Sequence, residues 1–397
     1  MLDLESKPII DKLIICSAMK IFRVLLFLMM MYGLYYFEAS RMFVVDTSIQ
    51  SSALYPLCIL ASAVLALVVL RKHSLNNQCL LPFLIIFTYS VAVLHSLEAP
   101  FPAKSCYITL LLPAICFYFP QRLIENGFNK NFFIYGSIVV YILLTFFYYY
   151  NYQNNAWIEI QNQNNAAYTL LFFTPLLLCC DNRYVRYIVL ALTGIALLFS
   201  LKRSGIVAYT LALASFLYID IFVNRSSKNK LILLIIVVLG LYGLYNVSQS
   251  FLGERSELLI NRFTLLEEGD LERTQIYNTT IQMITKNDLV DYVAGHGYGG
   301  VAKDSQLKCS AHNDYLEFMY DYGIIGLTLL LLFVIHFIKY VISLIRRKSS
   351  YAAPAVFALV IILVNSCFSH VFYYEWYLLL VSMFGGYINW AAAHENI

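Results

Sequence analysis

The sequence predicts an all-α integral membrane protein, a polytopic bundle of about twelve transmembrane helices with one long polar loop. Three observations carry this. Of the 397 residues, 60% are hydrophobic and only 13% are charged, with a mean hydropathy of +0.68. A soluble domain carries about 25% charged residues, so this chain cannot cover a globular surface with polar groups. Its apolar runs recur at lengths near the roughly 20 residues a helix needs to cross the hydrocarbon core. Finally, one long segment, 248–322, gathers the polar residues that the rest of the chain lacks.

The expected spans are 21–37, 52–70, 80–97, 105–120, 131–150, 165–180, 184–200, 204–223, 231–247, 323–345, 353–371 and 374–393. The fourth is short and contains Pro113, and the sixth and seventh are separated only by Asp181-Asn182-Arg183. The chain divides into N-terminal helices over 1–247, the loop over 248–322, and C-terminal helices over 323–397. The N-terminus reads as a retained anchor, because Lys7, Lys12, Lys20 and Arg23 are spread through it and no small-residue cleavage site follows.

Charge distribution sets the expected orientation. With the N-terminus cytoplasmic, the inner segments hold 17 of the 27 Lys and Arg, the short outer loops hold 4 and the long segment 6. Positive charge collects on the cytoplasmic side of short loops. Both termini should therefore be cytoplasmic and the long loop outside. Aromatic clusters such as Phe146-Phe147-Tyr148-Tyr149-Tyr150 fall at predicted outer ends, as an interfacial belt requires. No basic tract or nucleic-acid motif is present, which argues against nucleic-acid binding. The cysteines fall mostly in apolar runs without a CxxC, so neither a metal site nor an essential disulfide is expected.

Few residues have the chemistry for a site. Lys202-Arg203 breaks the charge rule by lying on the outer side between two apolar runs. Cations at membrane depth are costly unless paired or hydrated, and an Arg fork suits phosphate oxygens. Arg273 precedes an expected amphipathic helix with Ile276, Thr280, Met283 and Ile284 on one face. Gly295-His296-Gly297-Tyr298-Gly299-Gly300 reads as a tight turn, with His296 an exposed loop residue. His312 opens a short helix-like stretch in which Asp314, Glu317 and Asp321 share one face, read as a solvated acidic stripe. Histidine is the side chain best suited to general-base work near neutral pH. Asn313 adjoins it, and His370 with Glu375 occupies the outer turn between the last two spans, where they could line the same site.

In their order, these stretches resemble the O-antigen ligase and polymerase superfamily of bacterial polysaccharide assembly. The matching residues are Lys202-Arg203-Ser204-Gly205, Arg273-Thr274-Gln275-Ile276-Tyr277, Gly295 to Gly299, His312-Asn313-Asp314-Tyr315-Leu316-Glu317 and Gly323-Ile324-Ile325-Gly326, with Asn164-Asn165-Ala166 as a further feature. The resemblance implies a metal- and cofactor-independent glycosyltransferase of the bacterial cytoplasmic (inner) membrane. Its donor would be an oligosaccharide on undecaprenyl diphosphate. By the same resemblance, Arg203 and Arg273 would hold the diphosphate, and the catalytic His312 would take a proton from the attacking sugar hydroxyl or orient it. Lys202, Asn313, His296 and His370 would line the site. The implied function is a polymerase of surface-polysaccharide repeat units, with ligation to lipid A–core as the alternative, and a chain-length regulator is an expected partner. A flippase for lipid-linked oligosaccharides is the competing class. Transporters place charges near the midplane, whereas here the polar residues collect outside the spans.

Overall fold

The computed structural model describes residues 7–42, 54–70, 103–153, 160–223, 266–373 and 375–395, and every regular element among them is helical. In chain order these are α1 (Lys7–Met42), α2 (Leu54–Val69), α3 (Ala103–Glu125), α4 (Lys130–Gln153), α5 (Ile160–Leu177), α6 (Arg183–Ser200) and α7 (Arg203–Tyr218), which runs on into a π-helical turn (Ile219–Val223). Then come α8 (Leu266–Lys286), α9 (Leu289–Ala294), α10 (Gly300–Asp304), α11 (Asp314–Arg346), α12 (Ala352–Phe368) and α13 (Glu375–Ala393). The expected spans 80–97 and 231–247 lie outside the described residues, as does the loop up to residue 265.

Among the described residues, five helices are long and apolar enough to cross a membrane: Ser17–Tyr35, Lys130–Gln153, Arg183–Ser200, Arg203–Ile221 and Asp314–Arg346. Apolar stretches in α2 and all of α12 are shorter. Two doubtful places in the sequence resolve into separate elements. Asn182 caps α6 by accepting a hydrogen bond from the Tyr184 N–H, so the polar triplet does end one helix and start the next. Pro113 and Pro120 both lie inside α3, which continues to Glu125.

The bundle is knit by close backbone approach and by a few buried hydroxyls, because lipid-bathed helices gain little from burying apolar surface against each other. α13 packs along α3, α12 along α7, and α5 against α4, α6 and α13. A Cβ at Gly386 of α13 would stand 1.7 Å from the Phe117 carbonyl oxygen of α3, so only glycine permits this crossing. At the junction of α4, α5 and α6, the Thr193 hydroxyl lies 2.7 Å from both Tyr141 Oη and Thr174 Oγ1. Tyr377 stacks on Phe172 at 4.8 Å and so ties α13 to α5.

The long helix α11 is two helices in one. Gly323 (φ 64, ψ −169) breaks it, separating a loop-side segment, Asp314–Tyr322, from the apolar run that follows. The neighbouring loop carries Gly295, Gly297 and Gly299 in the left-handed region, with φ between 75 and 87. A Cβ at Gly295 would meet the Asp321 backbone at 2.4 Å, and one at Gly323 would meet the Val293 carbonyl oxygen at 2.3 Å. His296 N–H donates to Tyr320 O and Gly297 N–H to Asp321 O. The glycine run is a tight turn, as its composition predicts, and it is moulded onto the α11 break.

The Gly385–Gly386 pair offers an internal comparison. Gly386→Ala must push α13 off the α3 backbone, at a cost of about 1–3 kcal/mol or more. A Cβ at Gly385 would meet only the Phe117 ring, at 3.1 Å. In detergent, G386A should lower the thermal midpoint well beyond G385A, and equal midpoints would contradict this packing.

Candidate functional site

Four elements bring the polar residues to one end of the bundle. The first is the turn between α6 and α7. Leu201 adopts a left-handed conformation (φ 53) and donates its N–H to Leu198 O, closing α6. Lys202 follows at the α7 N-cap and provides no side-chain cap, since an ammonium has nothing to accept with. Arg203 is the first residue of α7 and is half-buried. From α5, Tyr168 closes the turn: its hydroxyl lies 2.7 Å from Ser204 Oγ, and Lys202 Nζ stands 5.8 Å from its ring centroid.

The second element is α8. Its helix starts at Leu266, so Arg273 sits within it rather than in a loop before it, as the sequence suggested. One turn after Arg273, Tyr277 donates its hydroxyl to the Cys367 carbonyl at 3.0 Å. The third element, the start of α11, uses the same carbonyl: Asn313 Nδ2 donates to Cys367 O at 3.0 Å. Carbonyls in the last turn of a helix lack intrahelical partners, so the end of α12 anchors both α8 and α11.

His312 stands just before that anchor in the left-handed region (φ 51). Asn313 caps α11 by accepting from the Tyr315 and Leu316 N–H groups at 3.0 and 3.1 Å. Both ends of the Asn313 amide are thus engaged in positioning the residue beside it. The His312 side chain keeps an exposed edge, yet crowding by protein atoms, His370, Lys202 and Arg273 together hold its pKa down to about 4. Crowding by protein atoms around the ring is the largest cause, and both cations lie within electrostatic reach. Arg273 also lies within electrostatic reach of Tyr168 on α5.

The fourth element is the turn after α12. The His312 and His370 rings lie 5.0 Å apart, tilted by 35°. His370 Nε2 is 3.0 Å from Ser310 Oγ, and its Nδ1 is 3.3 Å from Glu317 Oε2 and 3.6 Å from Asp314 Oδ1. Here the sequence reading needs correction. Asp314, Glu317 and Asp321 do share a face, but they are buried at 0–2% exposure rather than solvated. Each meets inward partners. Asp314 Oδ2 accepts from the Val371 and Phe372 N–H groups, at 2.8 and 3.3 Å. Asp321 accepts from Gly299 N–H at 2.6 Å, Val301 N–H at 3.0 Å and the Tyr373 hydroxyl at 2.9 Å. Burial, with Asp321 and Asp314 alongside, raises the Glu317 carboxyl well above its usual range. Among the described residues, Asp314 Oδ1 and Glu317 Oε2 find no aligned hydrogen-bond donor. The His370 ring is the polar group that meets both.

His296 is occupied elsewhere. It stacks on Tyr320 at 4.2 Å and its Nε2 is 3.0 Å from Asn287 Oδ1, with Asp291 at 3.9 Å. Tyr168 and Ser310 join the site without having been singled out in the sequence. Tyr168 lies one turn beyond the Asn164-Asn165 pair, which was the available signal.

These features define an integral membrane protein of packed helices with a cationic, histidine-containing site at one end. Residues 188–331 match a family model described as O-antigen ligase. The match runs from α6 into the apolar part of α11, and it includes Lys202, Arg203, Arg273, His296, His312 and Asn313 but not His370. It supports the resemblance to the O-antigen ligase and polymerase superfamily. No curated protein matches the chain.

Asp321 is the residue whose removal should loosen the loop. Asp321→Ala strands two backbone donors, an expected loss of about 3 kcal/mol. Trypsin should then cut at Lys303 and Lys308 faster than in the parent protein, and an unchanged digestion rate would argue against the clamp.

Proposed function

We propose that this protein polymerises the repeat units of a bacterial surface polysaccharide, O-antigen or capsule-like. It would transfer a glycan from undecaprenyl diphosphate to a sugar hydroxyl. The observation that carries this reading is that the Arg273 helix and the residue after His312 are tied to one carbonyl, that of Cys367, with Lys202 and Arg273 within electrostatic reach of His312. A site that gathers cations around a neutral imidazole suits an anionic leaving group and a hydroxyl nucleophile. In this reading Arg203 and Arg273, with Lys202 beside them, hold the diphosphate. The acceptor oxygen attacks the anomeric carbon, and the bond from that carbon to the diphosphate oxygen breaks. The electron pair leaves with the diphosphate, the hydroxyl proton passes to His312, and the anomeric centre inverts. Preorganised cations lower the barrier by meeting the charge that develops on the leaving group. No metal or cofactor is invoked. The long loop faces outward and both termini face the cytoplasm in this arrangement.

The depressed basicity of His312 fits the cycle. Above about pH 4 the free imidazole is neutral and can accept a proton. Its strength as a base then depends on what lies beside Lys202 and Arg273. A bound diphosphate offsets their charges and raises the pKa toward the value where general-base catalysis is most effective. The acid limb of kcat/KM, which reports the free enzyme, should therefore lie near pH 4, with the limb of kcat at higher pH. Lys202→Gln removes a positive neighbour and should move the kcat/KM limb upward. A limb that stays in place in that variant would show that another group titrates.

A ligase, transferring the finished chain to lipid A–core, is the second reading, favoured by the description of the matched family. Deletion followed by electrophoresis of the surface glycan separates the two. Core bearing a single repeat unit marks a polymerase, and bare core with long lipid-linked chains marks a ligase. His312→Ala should cut turnover on the order of 10²–10⁴-fold. Arg273→Ala and Arg203→Ala should each cost on the order of 10²–10³-fold. All three proteins should still reach the membrane, and full activity in all three would remove the site assignment.

A further inference from the structure

The short helix α9 carries an apolar surface that the proposed reaction does not use. Leu289 is 80% exposed and Val290 70%, with Tyr292 and Val293 also open at 43% and 37%. At about 100° per residue, Leu289, Val290 and Val293 fall within one arc and Asp291 lies opposite. Asp291 turns toward the loop, 3.9 Å from His296, and Asp288 caps the helix by accepting from the Val290 and Asp291 N–H groups. The helix is therefore amphipathic, with its polar side against the protein and its apolar side facing away.

Its depth in the structure is fixed by backbone contact. The last residues of α9 press on the α11 break so closely that a Cβ on Gly323 would meet Val293 O at 2.3 Å and Ala294 N at 2.8 Å. Gly323 is also where the apolar run of α11 begins. The next residues, Ile324 and Ile325, are exposed at 38% and 39%, and further along Leu331 and Leu332 reach 42% and 50%. This open side of α11 belongs to a helix long and apolar enough to span a bilayer, a face suited to lipid contact. Through its backbone contact at Gly323, α9 and its apolar arc sit beside the start of this apolar run.

We propose that α9 is a membrane-interface anchor. Leu289, Val290 and Val293 enter the boundary between headgroups and acyl chains in the leaflet on the loop's side, and Tyr292 lies at headgroup level. Tyrosine rings favour that level, and an amphipathic helix beds about 5–10 Å into this boundary. The occupant of the surface is the lipid bilayer itself. Because α9 is locked to Gly323 and to the Asp321 clamp, the anchor would hold the loop, and His312 with it, at a set height above the acyl chains.

The test uses the full chain in phosphatidylcholine nanodiscs, made with and without bromine on the acyl chains. The parent's 3 tryptophans give the background, and L289W adds one on the apolar arc. V290W repeats the test at a second exposed position in case the first substitution disturbs the helix. K308W, on an exposed loop residue away from α9, is the control. Brominated lipid should reduce the emission added by L289W and V290W by about two-fold or more, as expected for a ring bedded in the boundary. The emission added by K308W should be unaffected. Water-like, unquenched emission from both α9 variants would overturn the proposal. So would blue-shifted emission that bromine leaves alone, which would mean that protein, another chain or a second copy, covers the surface.

Discussion

The break at Gly323 and the carboxylate two residues before it are the joint on which the site is built. A helix that ran straight through this point would carry Asp314 to Tyr322 up along the bundle axis. The left-handed glycine turns that segment aside, so Asp321 faces the glycine loop and Asp314 faces the turn after α12. Asp321 then binds Gly299, Val301 and Tyr373 together. These connections join three stretches of chain that share no regular hydrogen-bond ladder. Without them, the loop glycines would have freedom and no reason to adopt one shape.

The joint explains why so much acid can be buried at a membrane surface. An isolated buried carboxylate is expensive, and two side by side cannot both stay ionised cheaply. Backbone N–H groups satisfy Asp321 and half of Asp314, while His370 faces the oxygens that remain. The arrangement places a second imidazole 5.0 Å from His312. It also sets the His370 ring 3.3 Å from the buried Glu317 carboxyl. The bonds to Asp314 and Asp321 tie the start of α11 to the glycine loop and to the turn after α12, and so fix the backbone on either side of His312.

Much of this was legible in the sequence. Composition points to a helical membrane protein, and the polar segment between apolar runs holds Arg273, His296, His312 and Asn313 of the candidate site. Lys202, Arg273 and His312 stand out because each has a residue type that its surroundings do not otherwise call for. What could not be read was direction. The 3-and-4 spacing of Asp314, Glu317 and Asp321 places them on one face, but spacing is the same for a face turned to water and one turned to a partner. The partners that decide it, the Gly299 and Val371 N–H groups, are backbone atoms with no sequence signature. Nor does any pattern announce that the Cys367 carbonyl receives both Tyr277 and Asn313. The helix start at Leu266 shows the same limit, since helix ends are the least sharply encoded part of any element.

The Cys367 carbonyl and the Val371 and Phe372 amides have a bearing on how the molecule is made. Chains enter the membrane from the N-terminus onward, so α7 and α8 exist long before the turn that follows α12. Until that turn arrives, Asn313 and Tyr277 lack their shared acceptor, Asp314 lacks its donors, and the two histidines cannot meet. The cationic half of the site is in place early and the basic half is completed late. While residues 274–371 are being made, the nascent protein therefore holds Lys202, Arg203 and Arg273 without the completed histidine–carboxylate network beside them.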